Sequence, residues 1–538
     1  MNSFFDKILK KFTKPRYYLI LANLLLVFFL ILLSNTGVLP MRFGDFVFFS
    51  LIYLIFALYR PGWSFLLFIG TIALENINLA PESLGIFVRP YQLIGALTVV
   101  SLLLRYFAKR LNFELVKLKW YDYAVGIFIF SGFLSSIFAQ SKGLAFKQSA
   151  ILLTFGILYW LVRNYMQTFE DVKKIAPFFL SSSVIVVFYG IFQNIRFIKG
   201  LNPFETMPGR PNGTFTEADW LGIYLVVLIS VIYLIIYYIK QSEKPLGEFG
   251  IPVSSTSGQN SKLFLSYLFL IFVFALLIIT VSRSAWLGAG FITLVFLKAI
   301  FTNFSFKFRD WQGKELIKHL SYVIVTILLS IGFVHVFHLT NFQLFNRAQS
   351  ASSGLQKITV ACNEDVQLPE KIGGVSELEQ YNCRHIKLED IEKEKSEGNF
   401  VKEVYRTDPN VNIRSTIYQK SWEEIKKHPF FGIGWGNISN VLGKDERGAG
   451  LNSSNIFLEV WLGSGIIGLL AFLIIWVYIF VKSVIYCVKG DFESKITGTF
   501  IILGLFALLI PNLFNAGVYL GILWIWMGIT ISLSVKKV

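Results

Sequence analysis

Charge is scarce in this sequence: 16% of its 538 residues are Asp, Glu, Lys or Arg, where an ordinary soluble domain has about 25%. There are only three cysteines and five histidines. So few cysteines exclude a disulfide-dense scaffold, and neither residue type recurs at the spacing of a zinc site. Walker loop, dinucleotide-binding glycine fingerprint and His-Glu-x-x-His helix are all missing, which removes nucleotide hydrolysis, hydride transfer and zinc chemistry from the candidates. The 15 prolines and 41 glycines follow no fixed period, so solenoid and collagen-like architectures are excluded. No metal or cofactor is expected.

Hydrocarbon fills the chain instead. Apolar side chains make up 54% of it and aromatic ones 17%, more than a water-soluble core holds. Apolar runs long enough to cross about 30 Å of lipid as helix recur to the C-terminus, about 14 in all. They cover 17–34, 44–59, 62–79, 91–107, 121–139, 147–163, 175–195, 218–239, 263–281, 284–301, 320–339, 455–481, 496–512 and 518–534. The first follows Lys7, Lys10, Lys11, Lys14 and Arg16 with no small-residue cleavage site after it, so it reads as a retained span.

Alternate connections carry the positive charge: the N-terminal tail, Arg105 to Lys119, Arg163 to Lys174, Lys240 to Lys262, Lys298 to Lys318, Lys482 to Lys495, and Lys536-Lys537. That alternation predicts both termini in the cytoplasm. It also accounts for the net charge of +16 without nucleic acid; membrane lipids are the expected surroundings. The fold class is therefore an all-α polytopic membrane protein. Residues 1–339 hold the first eleven spans, 340–452 form one large extracytoplasmic loop domain, and 453–538 hold the last three.

In the large loop, acidic and basic residues nearly balance, sixteen against fifteen, as in a folded cap rather than a retention loop. The cap is expected to be small and helical, over a cavity that opens sideways to lipid. Thr416 to Lys427 reads as an amphipathic helix with Ile417, Trp422 and Ile425 on one face, and Glu389 to Glu397 as a solvated one. Cys362 and Cys383 both lie in the loop, either paired or as two free thiols. Cys487, near the end of a span, reads as packing.

Three segments on the non-cytoplasmic side carry the candidate chemistry. The first is 210–222 (RPNGTFTEADWLG); the second is 282–286 (SRSAW). The third runs from Asn412-Ile413-Arg414 through Trp422 and 428–436 (HPFFGIGWG) to 453–459 (SSNIFLE) and 463–468 (GSGIIG). Each holds an arginine that topology would leave in the cytoplasm: Arg210, Arg283 and Arg414. A guanidinium is always charged, and its planar fork matches phosphate or carboxylate. Snorkelling, or pairing with Glu217, Asp219 or Glu459, would hold one such residue; three on one face favour a shared anion. Lipid-linked pyrophosphate presents an anion at that depth, and as a leaving group it gains charge that fixed arginines would stabilise. His335 and His338 lack a nearby carboxylate and read as packing rather than a metal pair.

Over roughly residues 120 to 530 these segments resemble the O-antigen ligase and O-antigen polymerase superfamily of bacterial membrane glycosyltransferases. The resemblance rests on Gly213-Thr214-Phe215 leading into a span, on Ser282-Arg283, and on Arg414, Trp422, His428-Pro429 and Gly432-Ile433-Gly434. It implies a GT-C-like architecture in the bacterial cytoplasmic membrane. It also implies an inverting, nucleotide-independent transfer from an undecaprenyl-pyrophosphate-linked glycan donor to a glycan, lipid or protein acceptor. By motif position Arg210, Arg283 and Arg414 would engage the pyrophosphate, with His428, Ser454 and Asn455 beside the substrate.

Two positions depart from the family pattern. Where its ligases carry His-Asn, this chain has Ser454-Asn455, and a serine hydroxyl does not accept a proton unaided at neutral pH. The base would then be Glu459 or Asp219, which join Arg283 and Arg414 as the catalytic candidates; His428 is the alternative. Asp219 itself stands where the family more often has Asn. Polymerase and ligase both remain open. A lipid-oligosaccharide flippase or other transporter is the competing class, although the spans show little mid-membrane charge beyond Glu75 and no internal symmetry. A membrane scaffold with the loop as docking domain is the third.

Overall fold

A computed structural model describes residues 15–207, 209–242, 256–305, 307–339, 355–386, 391–407, 409–444 and 450–534. The tail lysines Lys7, Lys10, Lys11, Lys14, Lys536 and Lys537, and Glu389-Asp390 of the charged run, lie outside the described residues. The first eleven helices are α1 (Pro15–Asn35), α2 (Phe43–Tyr59), α3 (Pro61–Gly70), α4 (Pro90–Phe107), α5 (Trp120–Phe138), α6 (Lys142–Tyr165), α7 (Phe169–Ile198), α8 (Ala218–Ser242), α9 (Thr256–Thr280), α10 (Arg283–Thr302) and α11 (Gly313–Val336). The cap follows with β1 (Leu355–Cys362), β2 (Lys371–Ile372), β3 (Cys383–Ile386), α12 (Ile391–Ser396), β4 (Phe400–Thr407), α13 (Pro409–Lys427) and α14 (Ile438–Leu442). The chain closes with α15 (Ile456–Lys489), α16 (Phe492–Asn512) and α17 (Gly521–Leu533).

Each predicted span overlaps a helix, but the run 62–79 is helical only as far as Gly70. Among the described residues, eleven helices are long and apolar enough to cross a membrane; α2, α3 and α17 are shorter apolar helices. Large side chains on the outside of the bundle are apolar, Ile55, Phe130 and Leu328 each being more than 60% exposed. Such a surface suits lipid, because each helix satisfies its own backbone.

The run 62–79 is not one span. Helix α3 stops at Gly70, and residues 71–80 continue without helix although most are buried. The reason is Glu75, whose carboxylate pairs with Arg89 at 2.8 Å, accepts from the Tyr91 hydroxyl at 2.9 Å, and accepts from the Gly521 N–H at 2.7 Å. A helical register would have pointed that group elsewhere and left the first turn of α17 without its acceptor.

A second buried ion pair corrects the expectation of few buried charges. Arg163 meets Asp122 at 2.9 Å, Tyr159 donates to the same carboxylate, and another Arg163 nitrogen donates to Ser532 at 3.0 Å. Helix α17 is buried along its whole length. Its 13 residues cover about 20 Å of the roughly 30 Å of hydrocarbon. The two ion pairs hold it at both ends, and removing one partner of such a pair costs about 3–5 kcal/mol.

The cap departs from the all-α expectation. Its strands form a four-stranded sheet in the order β2-β4-β1-β3. Ile358, Val360 and Cys362 alternate along β1 and pack with Ile372, Leu378 and Val404, the period-two pattern of a strand. Cys362 and Cys383 face each other across β1 and β3 and are joined as a disulfide. The charged run yields only the short α12, in which Glu394 is buried and bonded to Arg384. The amphipathic reading of α13 holds for Ile417 and Ile425, which are buried; Trp422 is about half exposed, 5.8 Å from Trp461.

Candidate functional site

The loop between α7 and α8 is folded by its own side chains. Asn212 accepts from the Thr206 N–H and donates to the Phe215 carbonyl, while the Gly213 N–H, at φ +56°, donates to Gln193. Phe215 is buried in the core as an anchor. Arg210 leaves this loop to bridge two helix ends. Its Nη2 lies 3.2 Å from the Asp219 carboxylate in the first turn of α8, and its Nε donates to the Thr280 carbonyl that ends α9.

Asp219 is where the distant segments meet. Its carboxylate also takes a hydrogen bond from Ser282, and it lies within the electrostatic reach of Arg414 on α13. The Arg414 guanidinium sits 5.9 Å from the Phe514 ring centroid, and the neighbouring Asn515 donates to Ser284 at 2.9 Å. Arg283 opens α10 between Ser282 and Ser284, half-buried. Just before them Val281 adopts φ +54°, a left-handed conformation that costs a β-branched residue about 1–3 kcal/mol. Strain of this kind persists where surrounding contacts hold a turn in one geometry, and here it sets the direction in which α10 begins.

The Ser454-Asn455 pair starts α15. The Asn455 side-chain oxygen accepts from the Phe457 and Leu458 N–H groups, which is helix capping, and its side-chain nitrogen donates to the Leu513 carbonyl. Ser454, at φ +50°, accepts at its carbonyl from the Tyr418 hydroxyl, one turn along α13 from Arg414. Among the described residues the Ser454 hydroxyl has no hydrogen-bond partner. Glu459 points back toward Ser453, accepting from its N–H at 2.8 Å and its hydroxyl at 2.7 Å, and is almost wholly buried.

His428 is elsewhere. It is exposed at the far end of α13, separated from Arg414 by about 20 Å of helix rise. The glycine-rich string behind it has a packing role. Helix α15 breaks at Gly465, where φ is +68°, and the segment after His428 hydrogen-bonds into the break. The Ile433 N–H donates to the Leu462 carbonyl at 2.7 Å, and the Ile466 N–H to the Pro429 carbonyl at 3.1 Å. A Cβ on Gly465 would lie 2.0 Å from the Phe430 oxygen, and one on Gly432 would lie 2.3 Å from the Leu462 oxygen. Trp435 then inserts, fully buried, beside Phe128 and Tyr519.

Sequence reasoning missed Thr280, Tyr418, Phe514 and Asn515. Asn515 was signalled only by a polar residue in the short link between two apolar runs. It also missed Glu205 in the α7–α8 loop, whose carboxyl burial pushes up to about 7 although the Gly209 N–H pulls it down. His335 and His338 have rings 6.3 Å apart, and among the described residues no group of three or more His, Cys, Asp or Glu is arranged to hold a metal.

Residues 268–473 match the family model described as O-antigen ligase. The matched segment runs from within α9 through the cap to the middle of α15, and so contains Arg283, Arg414, Ser454, Asn455 and Glu459 but neither Arg210 nor Asp219. No curated protein matches the chain.

Proposed function

We propose that this chain, an integral membrane protein that matches the O-antigen ligase family model over residues 268–473, transfers glycan from a polyprenyl-pyrophosphate donor on the extracytoplasmic side. The observation that carries the reading is the Arg210–Asp219 ion pair within the electrostatic reach of Arg414, beside the turn that presents Arg283. These groups come from three separate connections, and the alternation of positive charge along the sequence supports an extracytoplasmic position for all of them.

Asp219 works as a positioning residue. It holds Arg210 by Nη2 while the Thr280 carbonyl takes Nε, and the guanidinium groups of Arg210, Arg283 and Arg414 would bind the pyrophosphate oxygens. In the transfer, an acceptor hydroxyl oxygen attacks the anomeric carbon as the bond from that carbon to the pyrophosphate oxygen breaks. The bonding pair leaves with the polyprenyl pyrophosphate, whose added charge the arginines stabilise. The hydroxyl proton passes to Glu459. Among the described residues that carboxylate takes hydrogen bonds from Ser453 alone, whereas Asp219 is committed to Arg210 and Ser282. Attack opposite to departure inverts the anomeric centre. His428 takes no part, and Asn455 serves the site by starting α15.

Purified protein supplied with the host's lipid-linked repeat unit tests this reading. Glycan lengthening or ligation with one polyprenyl pyrophosphate released per bond formed, and inverted linkage, is the expected result. Release of polyprenyl monophosphate, or movement of the donor across the bilayer with no new bond, would overturn it.

A further inference from the structure

A cavity of 230 Å³ reaches the same α7–α8 loop that carries Arg210. It is walled by the end of α1, the non-helical stretch after α3, the middle of α7 and the α7–α8 loop. Ser34, Asn35, Asn76, Tyr189, Phe204 and Thr214 give it its character, and none of its lining residues is charged. Much of its hydrogen-bonding capacity is unused. Among the described residues the Ser34 hydroxyl and the Asn76 side-chain amide have no partner, and Asn35 uses only its oxygen, accepting from the Tyr189 hydroxyl at 2.8 Å.

The wall is held in place by bonds among its own residues and to groups behind them. Thr214 donates to the Ala73 carbonyl and accepts at its own carbonyl from the Asn76 N–H at 2.8 Å, tying the loop to the stretch after α3. Phe204, at φ +55°, has the Arg196 guanidinium 4.9 Å from its ring centroid and accepts at its carbonyl from Gln193. A rigid, uncharged pocket with mixed donors and acceptors and one aromatic ring selects a neutral polyol over an anion, a cation or an acyl chain. Its volume equals about eight waters at ~30 Å³ each, the bulk of one pyranose.

We infer that this cavity is a saccharide subsite, which holds one sugar of the glycan a short distance from the bond being made and thereby selects which glycan is accepted. The inference rests on the glycan-transfer reading for its biological role. Thr214 is four residues from Arg210, so the chain between them spans at most about 14 Å, within reach of a short oligosaccharide whose end lies at the arginines. The hydroxyls of that sugar would donate to Asn76 and accept from Ser34, Asn35 and Asn76, while a C–H face lies on Phe204.

Full-length protein in nanodiscs, with the host's repeat-unit oligosaccharide freed of its lipid by mild acid as probe, tests it by saturation-transfer NMR and titration. Asn76→Trp, which fills the pocket from an exposed position, should weaken binding at least tenfold. Asn76→Ala and Ser34→Ala should each weaken it a few-fold. Arg283→Ala should bind as the wild type does, because the probe carries no pyrophosphate. Wild-type protein that binds no oligosaccharide, or folded Asn76 variants that bind it undiminished, would overturn the inference. Failure of the transfer reading is seen separately, as an unchanged glycan profile in cells carrying Arg283→Ala, and leaves the binding result to stand or fall alone.

Discussion

Asp219 holds Arg210 at 3.2 Å while lying within the field of Arg414, so one carboxylate ties the α7–α8 loop to the start of α8 and faces a charge of the cap. Asparagine at this position would keep a hydrogen bond to both Arg210 and Ser282 and lose only the charge. Transfer by Asp219→Asn is therefore expected to fall by less than about tenfold, and by Asp219→Ala at least about a hundredfold. Initial rates on purified donor, normalised to folded protein, check the ordering; equal rates for the two variants would contradict it.

The break in α15 predicts where the cap is most easily lost. Gly465→Ala would set a methyl group 2.0 Å from the Phe430 carbonyl oxygen, at a φ that alanine resists. Destabilisation above about 3 kcal/mol is expected, visible as lost yield and new protease sites in 429–436. His428→Ala, in the same string but exposed, should leave both yield and transfer within about twofold of wild type.

Reduction of the disulfide should loosen the sheet without disturbing the bundle. Cys362 and Cys383 are 21 residues apart, and closing such a loop contributes about 3 kcal/mol in the chain-entropy model. Faster hydrogen exchange in 355–407 with unchanged exchange in α8 and α17 is the expected pattern for Cys362→Ala paired with Cys383→Ala.

Glu205 predicts a pH dependence confined to the α7–α8 loop. Burial raises its carboxyl from the ordinary carboxylate range to about 7. Between those values the folded loop keeps a proton that the unfolded chain has released, so loop stability falls as pH rises toward 7 and is level above it. Glu205→Gln should remove that slope. At pH 8 its loop should exchange more slowly than the wild-type loop, and at pH 4 the two should match.

The membrane helices were legible in the sequence because lipid demands unbroken apolar runs, and all of the runs but 62–79 are helical over most of their length. Residues 71–79 misled because they are apolar and buried, as a span is, yet Glu75 binds the start of a helix 446 residues away. No local pattern carries such a contact. The cap sheet was hidden because β1 is covered on both faces, with Thr359 and Ala361 buried as well as Ile358 and Val360. The three arginines stood out because charge is conspicuous at the edge of hydrocarbon. Asn455 and His428 did not declare their roles, since capping and exposure depend on where the chain turns, not on which residue is present.

The central claim is that the arginines act on a leaving pyrophosphate, and Arg283→Ala in a strain lacking the native protein tests it most directly. Glycan profiles and lipid-linked intermediates should show at least a hundredfold loss of transferred glycan, lipid-linked units collecting on the extracytoplasmic leaflet, and normal insertion of the variant. An unchanged profile, or intermediates held on the cytoplasmic leaflet, would contradict the account.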